Sequence, residues 1–246
     1  MTKPFLLFDL GETLVDLKDL LLSLAAEIAS KHANLRPNVQ GIVREWIITS
    51  SRETPRAPGQ AFVPEFEIAS AVMARILLGH GVRVGVSEAG QILRDGWDDF
   101  ETRVRFVGGV TEEWLALIRD LSEGMAIVTD GDRENVDRLL RRLPLAPYFD
   151  VIVTSEDVRA YKPNPEMYQA ALRSLRASPA KSIFVSDSPL DLHGAAALGM
   201  ATCLFNRQLV ESPGDLPPGS LLLSDPRDFV EPLRRFASTG RLRASD

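Results

Sequence analysis

The chain has 246 residues, 45% hydrophobic and 25% charged, which excludes collagenous, disordered and disulfide-stapled classes and leaves a soluble globular protein with a full core. Thirty-four acidic against 28 basic residues give a formal charge of -6, which argues against a nucleic-acid partner. The single cysteine, Cys203, has no intramolecular disulfide partner, and one thiol with three histidines is too little for a soft-metal cluster, so a reducing cytoplasm is the expected compartment.

Pro4 to Phe8 is an apolar run that stops at Asp9 and Gly11, the pattern of a strand buried on both faces of a parallel sheet. Asp9 interrupts the run too early for a signal peptide, and no uncharged stretch approaches the roughly 20 residues of a spanning helix, so neither a leader nor a membrane partner is expected. From Asp16 to Arg103 the periodicity is helical: Leu17 to Ser30, Val39 to Thr49, Glu65 to Leu78 and Glu88 to Phe100, with a loop at Ser51 to Gly59. Beyond it, apolar runs at Met125 to Val128, Val151 to Val153, Ile183 to Val185 and Ala201 to Phe205 alternate with helical patterns at Thr111 to Leu121, Arg133 to Leu143 and Pro165 to Leu175. The tail after Asn206, with Pro213, Pro217 and Pro218, leads to a strand at Leu221 to Leu223 and a helix from Pro226 to Phe236. Alternating strands and helices imply an α/β fold with a Rossmann-like parallel sheet, 1–15 and 104–246, interrupted by an all-helical insertion, 16–103.

In open parallel sheets, ligands bind beyond the carboxyl ends of the strands, where Asp9, Thr129 and Asp187 stand together with Lys162. Adjacent carboxylates repel unless a cation lies between them, and hard oxygen ligands favour Mg²⁺. A lysine and a hydroxyl beside that cation suit a phosphate.

Four segments carry a resemblance that sharpens this reading: Phe8-Asp9-Leu10-Gly11-Glu12-Thr13-Leu14; Ile127-Val128-Thr129-Asp130-Gly131; Tyr161-Lys162-Pro163-Asn164-Pro165; and Val185-Ser186-Asp187-Ser188-Pro189-Leu190-Asp191 with Gly194-Ala195. In order and in their placement at strand ends they resemble the four motifs of the haloacid dehalogenase (HAD) superfamily, over about the first 205 residues. The resemblance implies a subfamily I hydrolase whose helical C1 cap closes over the active site. It implies Asp9 as nucleophile, forming an aspartyl-phosphate intermediate, and Mg²⁺ held by Asp9, Asp187 and the Gly11 carbonyl. Thr129, Asp130 and Lys162 would bind substrate, with Thr129 and Lys162 also serving catalysis, and Asp191 would support the metal from behind its ligands. The implied substrate is a small phosphorylated metabolite, and the implied assembly a monomer or homodimer.

Gly11 departs from the family pattern. Family phosphatases carry an aspartate there as acid/base, and glycine transfers no proton; losing such a group costs about 10²–10⁴ in rate. Gly11 therefore predicts a slow phosphatase and leaves alternatives open: a 2-haloacid dehalogenase-like hydrolase in which Asp9 attacks carbon, or a near-inactive protein that binds a phosphorylated ligand. A carbon–phosphorus hydrolase would need a Schiff-base lysine from the insertion, where Lys18 and Lys31 are the lysines present.

Overall fold

A computed structural model describes residues 3–205 and 215–242. The chain forms two compact units: Met1–Asp16 with Arg105–Asp246, and Leu17–Val104. Asn206 and Pro213 lie outside the described residues.

The first unit is built on six strands: β1 (Phe5–Phe8), β4 (Gly124–Thr129), β5 (Val151–Thr154), β6 (Ser182–Ser186), β7 (Ala201–Phe205) and β8 (Leu221–Leu223). They lie in the order β5-β4-β1-β6-β7-β8, and every pairing is parallel. Strand order reverses at β1, whose neighbours are β4 and β6, so the ends of β1 and β6 flank the crevice where open α/β sheets bind ligands. The α/β Rossmann-like architecture expected from the alternating runs is the one observed.

Both faces of the sheet are covered, which is why the strands read as continuous apolar runs. On one face Leu7, Phe184 and Val128 pack with Met167 and Tyr168 of α8 (Pro165–Leu175) and Leu192 of α9 (Pro189–Ala197). On the other, the Phe8 ring meets Trp114 of α5 (Glu112–Asp120), Phe149 and Phe229 edge-on, with centroids 6.1, 6.0 and 6.4 Å away. Helix starts are set locally: Thr111 caps α5 through the Trp114 N–H at 3.2 Å, and Asn164 caps α8 ahead of Pro165. The remaining helices of this unit are α6 (Arg133–Arg142), α7 (Ser155–Val158) and α10 (Val230–Thr239).

The second unit is helical throughout: α1 (Lys18–Lys31), α2 (Val39–Glu53), α3 (Glu65–Gly79) and α4 (Val86–Glu101), with a 3-10 turn at Ala33–Asn38. Its core gathers Leu24, Ile28, Ile42, Val72, Leu77 and Phe100. The α1–α4 crossing is close: a Cβ on Gly96 would lie 2.5 Å from Leu24 Cδ2 and 3.2 Å from its Cα.

Two sequence expectations need correction, and one element was not expected. The loop expected at Ser51 to Gly59 begins later, because α2 continues to Glu53 and ends as the Thr54 N–H bonds the Ser50 carbonyl at 3.0 Å; Pro55 then keeps Thr54 out of helical geometry. The helix expected from Pro226 opens as a 3-10 turn, Pro226–Phe229, before α10, which runs on to Thr239 and the left-handed Gly240. A two-residue antiparallel ribbon, β2 (Val15–Asp16) with β3 (Arg105–Phe106), was not foreseen, since two residues carry no alternation to read. Among the described residues no helix is long and apolar enough to cross a membrane.

Candidate active site

β1 delivers Asp9 to the crevice, and the Asp9 N–H donates to the Val185 carbonyl at 2.9 Å, continuing the β1–β6 ladder one residue past the strand. The chain then folds back on itself. Leu14 and Val15 N–H groups both donate to the Leu10 carbonyl, at 2.9 and 3.0 Å, and the Glu12 N–H donates to Val15 at 2.7 Å. This turn places Glu12 at a left-handed φ of 55° and seats Thr13 between two carboxylates. The Thr13 hydroxyl lies 3.3 Å from Asp9 Oδ2 and 3.2 Å from Asp187 Oδ1, and accepts the Asp187 N–H at 3.0 Å. Thr13 is the site residue that sequence reasoning missed; its position in the first motif was visible, but nothing in the spacing says that its hydroxyl bridges two motifs.

Lys162 enters from the loop before α8. Its ammonium is buried and donates to Asp9 Oδ1 and, at 2.7 Å, to Asp191 Oδ2. The Lys162 backbone N–H donates to Asp130 Oδ1 at 2.9 Å, so Asp130 anchors the lysine's loop. Asp191, in the first turn of α9, therefore pairs directly with Lys162, whereas the sequence reading gave it only a supporting role toward a metal. Its Oδ2 also accepts the Ser186 hydroxyl at 3.0 Å. Thr129 ends β4 beside β1, with its buried hydroxyl donating to the Asp130 carbonyl at 3.2 Å. The structure thus brings Asp9, Lys162, Asp187 and Asp191 into one linked set, with Thr129 and Asp130 on the adjoining strand end.

The electrostatics follow from burial and charge count. Burial raises the Asp9 carboxyl to about 7; Lys162 opposes the rise, and Asp191 and Asp187 reinforce it. Burial likewise raises Asp187 to about 6, with Asp191 adding to the rise while Lys162 and the Thr13 hydrogen bond oppose it. For Lys162, burial works against the charge, but Asp191, Asp9 and Asp130 outweigh it and hold the ammonium well above its ordinary range. One lysine faces three carboxylates, so the set carries spare negative charge that a divalent cation would neutralise.

Asp9 and Asp187 fit such a cation: both are oxygen donors, both are strained by desolvation, and Mg²⁺ is commonly held by one or two carboxylates with water and substrate oxygens completing its shell. Among the described residues no cluster of three or more His, Cys, Asp or Glu side chains is arranged as a metal cage, so the remaining ligands would come from backbone, water or substrate. The buried Cys203 thiol is pushed up by its apolar surroundings and offers no competing nucleophile.

The family model described as haloacid dehalogenase-like hydrolase matches residues 89–205. The chain carries a HAD-like hydrolase domain. The matched stretch contains Thr129, Asp130, Lys162, Asp187 and Asp191; Asp9 and Gly11 precede it, and the fold joins them to it. Two curated relatives point to different chemistries. The chain is 32% identical over 96 residues to (S)-2-haloacid dehalogenase 4A of Burkholderia cepacia, covering 39% of this chain and 42% of that protein. It is 36% identical over 88 residues to pyrophosphatase PpaX of Bacillus pumilus, covering 36% and 41%. The similarity thus spans about two-fifths of each relative. YfnB of Bacillus subtilis, described as a HAD-hydrolase and solved bound to magnesium, superposes with a TM-score of 0.77 at 18% identity, over 97% of this chain and all of that one. The fold of YfnB is therefore shared over nearly the whole chain, while sequence similarity to curated relatives is concentrated in part of it.

Proposed function

We propose that this HAD-like hydrolase cleaves small phosphate monoesters by way of an aspartyl-phosphate on Asp9. The observation that carries the reading is the Lys162 ammonium held between Asp9 and Asp191, beside an Asp187 carboxylate linked to Asp9 through Thr13. A lone nucleophile for carbon would not need two further carboxylates, Asp191 buried and Asp187 half-buried; a site for a divalent cation and a phosphoryl group would.

Asp9, Asp187 and the Gly11 carbonyl would hold Mg²⁺, which when bound supplies charge neutralisation for the phosphoryl oxygens. The carboxylate of Asp9 attacks phosphorus, and the ester oxygen leaves with the bonding pair. Lys162 balances the charge that Asp9 and the phosphoryl group share, and keeps Asp9 oriented through its hydrogen bond. The Thr129 hydroxyl turns from the Asp130 carbonyl to a phosphoryl oxygen. Water then hydrolyses the acyl phosphate, returning the Asp9 carboxylate and inorganic phosphate. Because Gly11 supplies no proton, the leaving oxygen takes its proton from solvent, so activated esters are the preferred substrates. The helical unit of Leu17–Val104 is assigned the role of substrate-selecting cap.

A dehalogenase-like second reading is favoured by Gly11 together with the similarity to a haloacid dehalogenase. The carbon–phosphorus hydrolase reading loses one of its two candidate lysines, because Lys31 is paired with Asp95 at 2.7 Å and Glu27 at 2.9 Å and is raised by those contacts, where a Schiff-base lysine needs a lowered value.

Phosphate release from a panel of small esters, including an aryl phosphate, with and without Mg²⁺, tests the proposal. Metal-dependent release abolished by Asp9→Asn supports it. Halide release from 2-haloacids without phosphate release would replace it with the second reading.

A further inference from the structure

The Asp191 carboxylate that faces Lys162 is itself held from two directions. At its charged end, Oδ2 accepts the Ser186 hydroxyl at 3.0 Å as well as the Lys162 ammonium at 2.7 Å. The Ser186 oxygen accepts the Ser188 N–H at 3.1 Å, which leaves its proton to be donated to the Asp191 carboxylate, a group that accepts. At its backbone end, the Asp191 carbonyl accepts the Tyr168 hydroxyl at 2.8 Å. Ser186 and Tyr168 are both fully buried, so neither hydroxyl has solvent as an alternative partner.

Tyr168 reaches that carbonyl only because position 194 is glycine. Gly194 lies one turn after Asp191 on α9, and a Cβ there would stand 2.5 Å from the Tyr168 hydroxyl and 2.8 Å from its ring. The ring is fixed in turn by Phe184 of β6, edge-on at 5.0 Å. Burial holds the phenol well above its ordinary range, so it remains a donor.

We propose that Ser186 and Tyr168 are positioning residues for the Lys162 ammonium, acting through Asp191, and that Gly194 exists to admit Tyr168. The proposal deepens the phosphohydrolase reading, on which its catalytic consequence rests. A carboxylate free to turn about its side-chain bonds leaves Lys162 shared between Asp9 and a moving partner. One clamped at both ends sets where the ammonium stands relative to the attacking oxygen, to the tolerance that catalysis demands.

The test compares Ser186→Ala and Tyr168→Phe with wild type by NMR of the lysine side-chain nitrogens, with Lys162→Met identifying the Lys162 signal. The expected result is faster exchange of the Lys162 Nζ protons, by about tenfold, in both variants, as for loss of a hydrogen bond in a charged network. With an aryl phosphate, kcat falls by about tenfold while KM stays within about twofold, a split that general loosening of the fold would not give. Gly194→Ala moves both readouts in the same direction, and Ser186→Thr, which keeps the hydroxyl, restores the slow exchange. Exchange within about twofold of wild type in both deletion variants overturns the proposal, whatever their thermal stability. The NMR readout needs no substrate, so a silent phosphatase assay would count against the function proposed above and leave the positioning to be judged on exchange alone.

Discussion

The Lys162 ammonium and the Asp9 carboxylate form a buried ion pair, with side chains 3% and 10% exposed. Charge removed from one partner is not replaced by solvent. Lys162→Met is expected to destabilise the protein by about 3–5 kcal/mol, because it leaves buried carboxylates facing one another. Urea denaturation with and without Mg²⁺ checks this. A loss under about 1 kcal/mol would mean that water reaches the site freely.

The raised carboxyls give stability a pH dependence of defined sign. Asp9 at about 7 and Asp187 at about 6 both lie above the ordinary value of 3.8, so the folded state binds more protons than the unfolded chain between these limits. The stability they contribute is fully present below about pH 4 and lost as pH rises through about 7. In chelator, the melting temperature should carry this downward contribution across about pH 5 to 7, and Asp187→Asn should flatten it. An unchanged slope in that variant would show that Asp187 is not the group responsible.

Gly11 is not among the residues with a left-handed backbone angle, so an aspartate there pays no cost for a positive φ. Gly11→Asp is expected to raise the rate of aryl phosphate hydrolysis, by up to about 10²–10⁴ for poor leaving groups. Steady-state kinetics across leaving groups of different pKa would show it as a shallower dependence on leaving-group pKa. No gain with any ester would remove the missing acid as the explanation for slow turnover.

Glu12 holds a φ of 55°, a geometry that costs a side-chain-bearing residue about 1–2 kcal/mol. Glu12→Gly should therefore stabilise the protein by about 1 kcal/mol in chemical denaturation, while Glu12→Ala should not. Equal effects from both substitutions would place the origin in the carboxylate and not in the backbone.

Much of the fold was legible because its determinants are local. Phe5–Phe8 and Ile183–Val185 are apolar without interruption, as strands buried on both faces must be, and Pro165 and Asn164 mark the start of α8 in the sequence itself. The candidate nucleophile was legible through residue type at a strand end, and the lysine through the Lys162-Pro163-Asn164-Pro165 run that leads into α8. What could not be read was partnership across the chain. Thr13 and Asp187 are 174 positions apart, and Asp191 turns to Lys162 because Ser186 and Tyr168 hold it there, a matter of side-chain geometry that no spacing encodes. The β2–β3 ribbon escaped for a related reason, since its pairing joins residues separated by the whole helical unit.

That ribbon has a consequence for how such a chain can change. Val15 pairs with Phe106 and Asp16 with Arg105, so the chain leaves the sheet-bearing unit and re-enters it at neighbouring points, at the spacing of adjacent strands, about 5 Å. Everything from Leu17 to Val104 is in effect one long loop whose ends are already tied together. Such a segment can be lengthened, shortened or exchanged for another without altering the register of any strand in the six-stranded sheet. The helical unit can then diverge by recombination at these two points while the carboxylates and lysine of the sheet-bearing unit stay where they are.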